Sequence, residues 1–188
     1  FLSEAGICSR READRLIESG KVTVDGKPAV TGMKISESQV VMVGKKEVRP
    51  KSEMVLLAVN KPVGIVCTEE KKEKHNIIRF LNYPTRITYI GRLDKDSEGL
   101  LLLTNDGNLI QRMMKGSENH EKEYVVKVNK EINTDFLVKM AKGIYLKELG
   151  ITTKPCNVKQ IGKFTFQIVL TQGVNRQIRR MCRTLGYE

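Results

Sequence analysis

The chain has 188 residues, 40% of them hydrophobic, and 33 Lys and Arg against 22 Asp and Glu, for a net charge of +11. That field attracts polyanions, so RNA, DNA or an anionic membrane surface are the candidate partners, while the apolar fraction suffices for one or two compact domains. The longest apolar stretches, 99–104 and 164–170, fall far short of the roughly 20 residues of a bilayer span. No signal-peptide pattern opens the chain, and a cytoplasmic protein without a membrane segment is expected. In chain order, Phe1–Gly6 reads as the end of a helix with Gly6 as a left-handed cap. Ser9-Arg10-Arg11-Glu12 is a capping box, and Ala13, Leu16 and Ile17 form the apolar stripe of a helix that Gly20 ends. Val22–Val24, the Asp25-Gly26 turn and Pro28–Val30 predict a hairpin, with a further strand at Val40–Val43.

Residues 1–48 therefore form a small module, and 49–53, with Pro50, a linker. On the module, Arg10, Arg11 and Arg15 occupy the helix face opposite the stripe, and Lys21 and Lys27 follow at the hairpin. Such a surface suits phosphates, although nine basic against seven acidic residues in 1–50 leave a merely solvated face equally open. The order Ser9-Arg10-Arg11-x-Ala13-x-x-Leu16-Ile17-x-x-Gly20-Lys21-Val22-x-Val24-Asp25-Gly26 resembles the S4-type RNA-binding domain. That resemblance implies RNA contact by Ser9, Arg10, Arg11, Arg15, Lys21 and Lys27.

From residue 54 strands and helices alternate: strands at Val55–Asn60, Ile87–Leu93 and Leu100–Thr104, a short helix at Leu109–Met114, a strand at Tyr124–Val128, and a helix over 134–142. Phe164, Phe166, Ile168 and Leu170 alternate as one buried strand face. The pattern predicts an α+β fold with a mostly antiparallel sheet in a second domain, 54–188. On a helix from about Val174 to Leu185, at 100° per residue, Ile178, Met181, Cys182 and Leu185 share one face. Arg176, Arg180 and Arg183 then point away toward solvent or RNA, and Arg179 lies at the stripe's edge, the arginine best placed to be half-buried against a carboxylate.

Between the strands, Gly91-Arg92-Leu93-Asp94-Lys95-Asp96-Ser97-Glu98-Gly99 sets acidic residues on a loop held by a rigid sheet, where reactive groups are commonly found. Loop solvation is the commoner reason for such a cluster. The stretch Gly91–Leu102, however, resembles the catalytic motif of the RsuA-like pseudouridine synthases. Asn60-Lys61-Pro62-x-Gly64, Lys122-Glu123-Tyr124 and Leu170–Met181 resemble, in order, three further motifs of that family. Within it, His120–Tyr124 and Gly143–Val158 are most similar to the F-type enzymes of large-subunit ribosomal RNA.

The resemblance implies an enzyme that isomerises uridine to pseudouridine, with Asp94 as the attacking carboxylate, Tyr124 as the active-site tyrosine and Arg179 as the partner of the aspartate. A nucleophilic carboxylate must be ionised, and an adjacent guanidinium favours that form. A tyrosine can stack on the flipped base and assist proton removal. Arg92 and Lys95 would hold flanking phosphates, with Arg176, Arg180 and Arg183 as further RNA contacts. The mechanism requires no cofactor and no metal. Cys8, Cys67, Cys156 and Cys182 lack the paired spacing of a zinc site and are expected as reduced, packed thiols, and His75 and His120 have no assigned role.

The expected partner is ribosomal RNA, that of the large subunit first, with small-subunit ribosomal RNA and transfer RNA as further candidates, and the expected state is a monomer. Two other classes compete, a non-catalytic S4-type RNA-binding protein and a DNA-binding helix-turn-helix factor. The family pattern continues beyond its third motif, and its S4 helix begins earlier, so this sequence is expected to be part of a longer protein.

Overall fold

The computed structural model describes residues 1–49, 53–115 and 119–188, so Pro50, Lys51 and Ser52 at the centre of the expected linker lie outside the described residues. The chain divides into two compact units, Phe1–Met114 and Lys115–Glu188.

The first unit opens with successive turns rather than the expected helix end. Ala5 N bonds Phe1 O at 2.8 Å and Ile7 N bonds Leu2 O at 3.0 Å, and Gly6, left-handed at φ 75° as expected, ends the coil after about one turn. The helix α1 (Arg10–Glu18) follows, with the Ser9 hydroxyl accepting from Glu12 N at 3.2 Å. Ala13 is buried, and Leu16 and Ile17 pack beside it.

Strands β1 (Val22–Val24), β2 (Lys27–Pro28), β3 (Val41–Val43) and β4 (Lys46–Val48) form an antiparallel sheet in the order β2-β1-β3-β4. β2 stops at Pro28, short of the expected Val30, which stays exposed. β4 has no sequence signature because only Val48 of its three residues is apolar; its pairing with β3 supplies the order. At the first turn the Asp25 carboxylate accepts from Val40 N at 2.9 Å and Gln39 Nε2 at 3.0 Å, and these bonds hold its carboxyl below the usual range. Leu2, Cys8, Ala13, Val22, Val24, Val41 and Val48 make this core.

A separate core in the same unit lies under a second sheet. Strands β5 (Leu56–Lys61), β6 (Thr88–Ile90) and β7 (Gly99–Thr104) pair antiparallel in the order β5-β7-β6. Two helices accompany them, α2 (Ile77–Leu81), which the sequence reading missed, and α3 (Gly107–Met114). Asn76 caps α2 by accepting from Arg79 N at 2.9 Å, and a left-handed Asn82 ends it. β6 covers only the middle of the expected Ile87–Leu93. Buried Ile77, Ile87, Leu101 and Leu103 join α2 to the sheet.

In the second unit, β8 (Lys122–Lys127) is followed by α4 (Thr134–Lys142), the two-stranded pair β9 (Tyr145–Leu146) and β10 (Ile151–Thr152), then β11 (Asn157–Gly162), β12 (Thr165–Leu170) and α5 (Gln177–Thr184). β12 lies between β11 and β8, and Phe166, Ile168 and Leu170 alternate inward along it as expected. Phe164 departs from that pattern because it precedes the strand and is exposed. Phe136 of α4 packs edge-on against Phe166, and Met140, Met181, Cys182 and Tyr187 complete the core. Both units thus have the expected α+β character with antiparallel ladders, and the four cysteines are free thiols.

Burial pushes the Cys182 thiol up to about 11 from an ordinary 9.0. The unfolded chain loses this proton first, so stability is fully present below pH 9 and falls as pH rises toward 11. Chemical denaturation across that window, comparing wild type with Cys182→Ala, checks the slope; the alanine variant is expected to lose this part of it.

Candidate active site

The loop that carries Asp94 leaves β6 and returns into β7, and its shape is set by the neighbouring strand. β5 pairs with β7 so that Lys61 stands opposite Gly99 at the mouth of the loop. The Lys61 side chain is fully buried, and its Nζ donates to Pro62 O and Ile65 O, both at 2.8 Å. That closes residues 61–65 into a tight knot, and Gly64 N then donates to Lys95 O at 2.7 Å. A second bond, from Ser97 N to Asp94 O at 3.1 Å, closes the turn that begins at Asp94 itself. The Asp94 residue is half-buried on this braced loop, with Arg92 and Lys95 exposed on either side.

Lys61 lies in the Asn60-Lys61-Pro62-x-Gly64 stretch whose resemblance implies a structural role near the active site, without a separate role for the lysine. A lysine reads as a surface group, and nothing in the spacing signals that two carbonyls await it. Replacing it by Met keeps the stem but leaves Pro62 O and Ile65 O without this donor, a loss of about 1–3 kcal/mol that a urea-unfolding midpoint would register.

The other two expected catalytic residues belong to the second unit. Tyr124 lies on β8 opposite Ile168, half-buried against the core. Arg179 lies on α5, which starts later than the expected Val174. Gln177 is buried, its Oε1 accepts from Val174 N at 3.1 Å, and Arg176 takes a left-handed backbone at φ 51°, so residues 174–176 form a turn ahead of the helix.

The arginines therefore sit differently from the helical projection. Arg179 is exposed rather than half-buried. The half-buried one is Arg180, expected to face solvent or RNA. Its guanidinium pairs with Glu148 and its Nε donates to Asn175 O at 3.0 Å. The turn between β9 and β10 delivers Glu148 to that side of the helix, which periodicity within α5 cannot anticipate. Arg176 and Arg183 are exposed, as expected.

In the N-terminal module Arg10, Arg11, Arg15, Lys21 and Lys27 are all exposed, whereas the Ser9 hydroxyl is engaged as the α1 cap. Among the described residues no group of three or more His, Cys, Asp or Glu side chains is arranged to hold a metal, and no helix is long and apolar enough to cross a membrane.

Residues 55–184 match the family model for RNA pseudouridylate synthase, and residues 1–41 match the S4 domain. The chain is 50% identical over 190 residues to the dual-specificity RNA pseudouridine synthase RluF of Salmonella typhi, with all of this chain and 65% of that protein covered. The RluF of Escherichia coli K12 is 49% identical over the same coverage, so this chain spans just under two thirds of the length of these relatives. The ribosomal large subunit pseudouridine synthase B of Bacillus subtilis is 36% identical, with 79% of its length covered. A crystal structure of a pseudouridylate synthase superposes over the whole chain and 82% of its own, with a TM-score of 0.70 and 27% identity.

Proposed function

We propose, on the premise that this chain belongs to the RNA pseudouridylate synthase family, that it isomerises a uridine in structured RNA to pseudouridine with Asp94 as the catalytic carboxylate. The observation that carries this reading is the braced loop: Asp94 lies on a turn fixed through Lys95 O and Gly64 N to the Lys61 knot.

The reaction moves one bond. The bond between the ribose C1′ and N1 breaks, the uracil turns within the site, and C5 bonds to C1′. C5 then loses its proton and N1 acquires one, so atoms and electrons balance without a redox partner. Asp94 supplies the nucleophile that divides this exchange into easier steps. The family resemblance assigns Arg179 the task of favouring the ionised form of this carboxylate, which a guanidinium does for an anion. Tyr124 presents a ring on which the turned base stacks and a hydroxyl able to assist removal of the C5 proton.

The uridine must leave its stack before any of this occurs, at a cost of a few kcal/mol that RNA contacts elsewhere offset. The division of labour we propose gives that task to residues 1–48, through Arg10, Arg11, Arg15, Lys21 and Lys27, with residues 54–188 as the catalytic domain. Arg92 and Lys95 hold flanking phosphates, and Arg176 and Arg183 supply further RNA contacts. Arg180 is engaged with Glu148, and Ser9 with the α1 cap, so their contribution is to hold neighbouring RNA-contacting residues.

Large-subunit ribosomal RNA is the substrate this reading favours, supported by the name of the Bacillus relative; the dual specificity of the RluF relatives keeps transfer RNA as a further candidate. The test is nucleoside analysis of unmodified ribosomal and transfer RNA after incubation with the protein. New pseudouridine in ribosomal RNA is the expected result. Tight binding with no new pseudouridine in either RNA would return the chain to the binding-module class.

A further inference from the structure

An aromatic and basic surface outside the expected catalytic set occupies the segment that α2 terminates. The chain carries five Phe, five Tyr and no Trp, so aromatic rings are scarce. Two of them are left in solvent only three positions apart: Phe80 is 51% exposed on α2 and Tyr83 is 40% exposed just beyond it. The fold could have buried Phe80, since its neighbours Ile77, Ile78 and Leu81 all pack on the core. Asn76 and Asn82 fix the two ends of α2 and so fix which face the ring takes.

Cations gather at the same place. The Arg79 guanidinium donates to Lys71 O at 2.9 Å, which anchors the preceding loop and its exposed Lys71, Lys72 and Lys74 against the α2 side. The loop's acids are partly spoken for: Glu69 pairs with Arg86 and Thr88, and the Glu73 carboxylate accepts from His75 N at 2.9 Å, leaving Glu70 exposed. The surface therefore shows excess positive charge beside two open rings.

Its position relative to the Asp94 loop is fixed by backbone bonds within the first unit. Ile77 N bonds Val66 O at 3.0 Å and Val66 N bonds His75 O at 2.8 Å. Val66 is two residues, at most about 7 Å of chain, from Gly64, which bonds Lys95 O. The loop and α2 thus spring from the same knot that braces Asp94. A rigid mount of this kind suits nucleotides beside the target base rather than the target itself.

We propose that Phe80 and Tyr83, with Arg79, Lys71, Lys72 and Lys74, form a stacking platform for unpaired RNA nucleotides that flank the modified uridine. The inference rests on the pseudouridine-synthase reading for its substrate, but not on any role of Asp94. The rings take the base faces and the cations take the phosphates, the combination by which single strands are held with little sequence preference. Paired RNA has no free base faces to offer, so the platform distinguishes a stem from its single-stranded flank.

The experiment measures binding of the full chain to two probes, an RNA hairpin with a single-stranded tail and the same hairpin blunt-ended. Phe80→Ala and Tyr83→Ala are each expected to weaken the tailed hairpin by about 5- to 100-fold and to leave the blunt one unchanged, whereas Tyr83→Phe retains affinity. Lys71→Ala and Lys72→Ala should each flatten the salt dependence for the tailed probe by about 0.7 in log–log slope. Because the chain has no Trp, Tyr83→Trp adds an isolated fluorophore, expected to be quenched by the tailed probe only.

Circular dichroism of each variant separates loss of binding from loss of fold. Pseudouridine formation by the wild type, run alongside, tests the enzymatic reading separately. An active wild type whose folded Phe80→Ala and Tyr83→Ala variants bind both hairpins as it does would overturn the platform.

Discussion

Asp94→Asn is expected to lower the single-turnover rate of pseudouridine formation by at least about a thousandfold while RNA affinity stays within a few fold. The amide matches the carboxylate in size, so the turn closed by Ser97 N on Asp94 O, a backbone bond, has no reason to change. What disappears is the anionic oxygen able to attack. The braced setting makes the substitution informative: a mobile aspartate could be replaced by a neighbouring carboxylate such as Asp96 or Glu98, but a loop pinned at Lys95 O does not readily bring another into the same place. A filter-binding titration and a rapid-quench time course on one preparation separate the two quantities. Loss of affinity in proportion to loss of rate would assign Asp94 to RNA binding instead.

Gly143→Ala should be the most destabilising small substitution in the second unit. Gly143 follows α4 with φ 91°, a backbone conformation that L side chains rarely adopt, and an added Cβ would overlap the Thr153 carbonyl oxygen. The backbone there has little freedom to retreat. Thr153 N bonds Ile144 O at 3.0 Å and the Thr153 hydroxyl accepts from Ile144 N at 2.9 Å, which fixes the chain after α4 against the chain after β10. Strain and overlap together are worth about 2–6 kcal/mol. Urea unfolding of the alanine variant should show a midpoint lowered accordingly, and a midpoint equal to wild type would mean that this crossing relaxes without cost.

The two halves of the candidate site differed in how far the sequence reached them. An acid-rich loop after a strand is more often only solvation, and Asp94 stands out because its flanks resemble a family motif over many consecutive residues. The S4-type module was legible for similar reasons, with Ser9 capping α1 as its spacing predicts. The F-type likeness also agrees with the identity to the RluF relatives.

What escaped notice depends on contacts between segments distant in sequence. Lys61 is buried because its amine meets two carbonyls of the turn that follows it, and no periodicity marks such a residue. The arginines of α5 show the same limit from another side. The apolar stripe is as expected, with Met181 and Cys182 buried, yet burial of Arg180 over Arg179 is decided by Glu148, more than thirty residues upstream in another turn. Strands β4, β9 and β10 are two or three residues long and take their order from a partner strand, so they carry almost no signal of their own.

Release of tritium from ribosomal RNA labelled at uracil C5 tests the central claim most directly, because the label leaves only when C5 has taken the place of N1 on the sugar. The wild-type chain is expected to release label in step with pseudouridine formed, and Asp94→Asn to release none while still binding the RNA. Equal release by both proteins would contradict the assignment of Asp94, and no release by a wild type that binds the RNA tightly would contradict the isomerase itself.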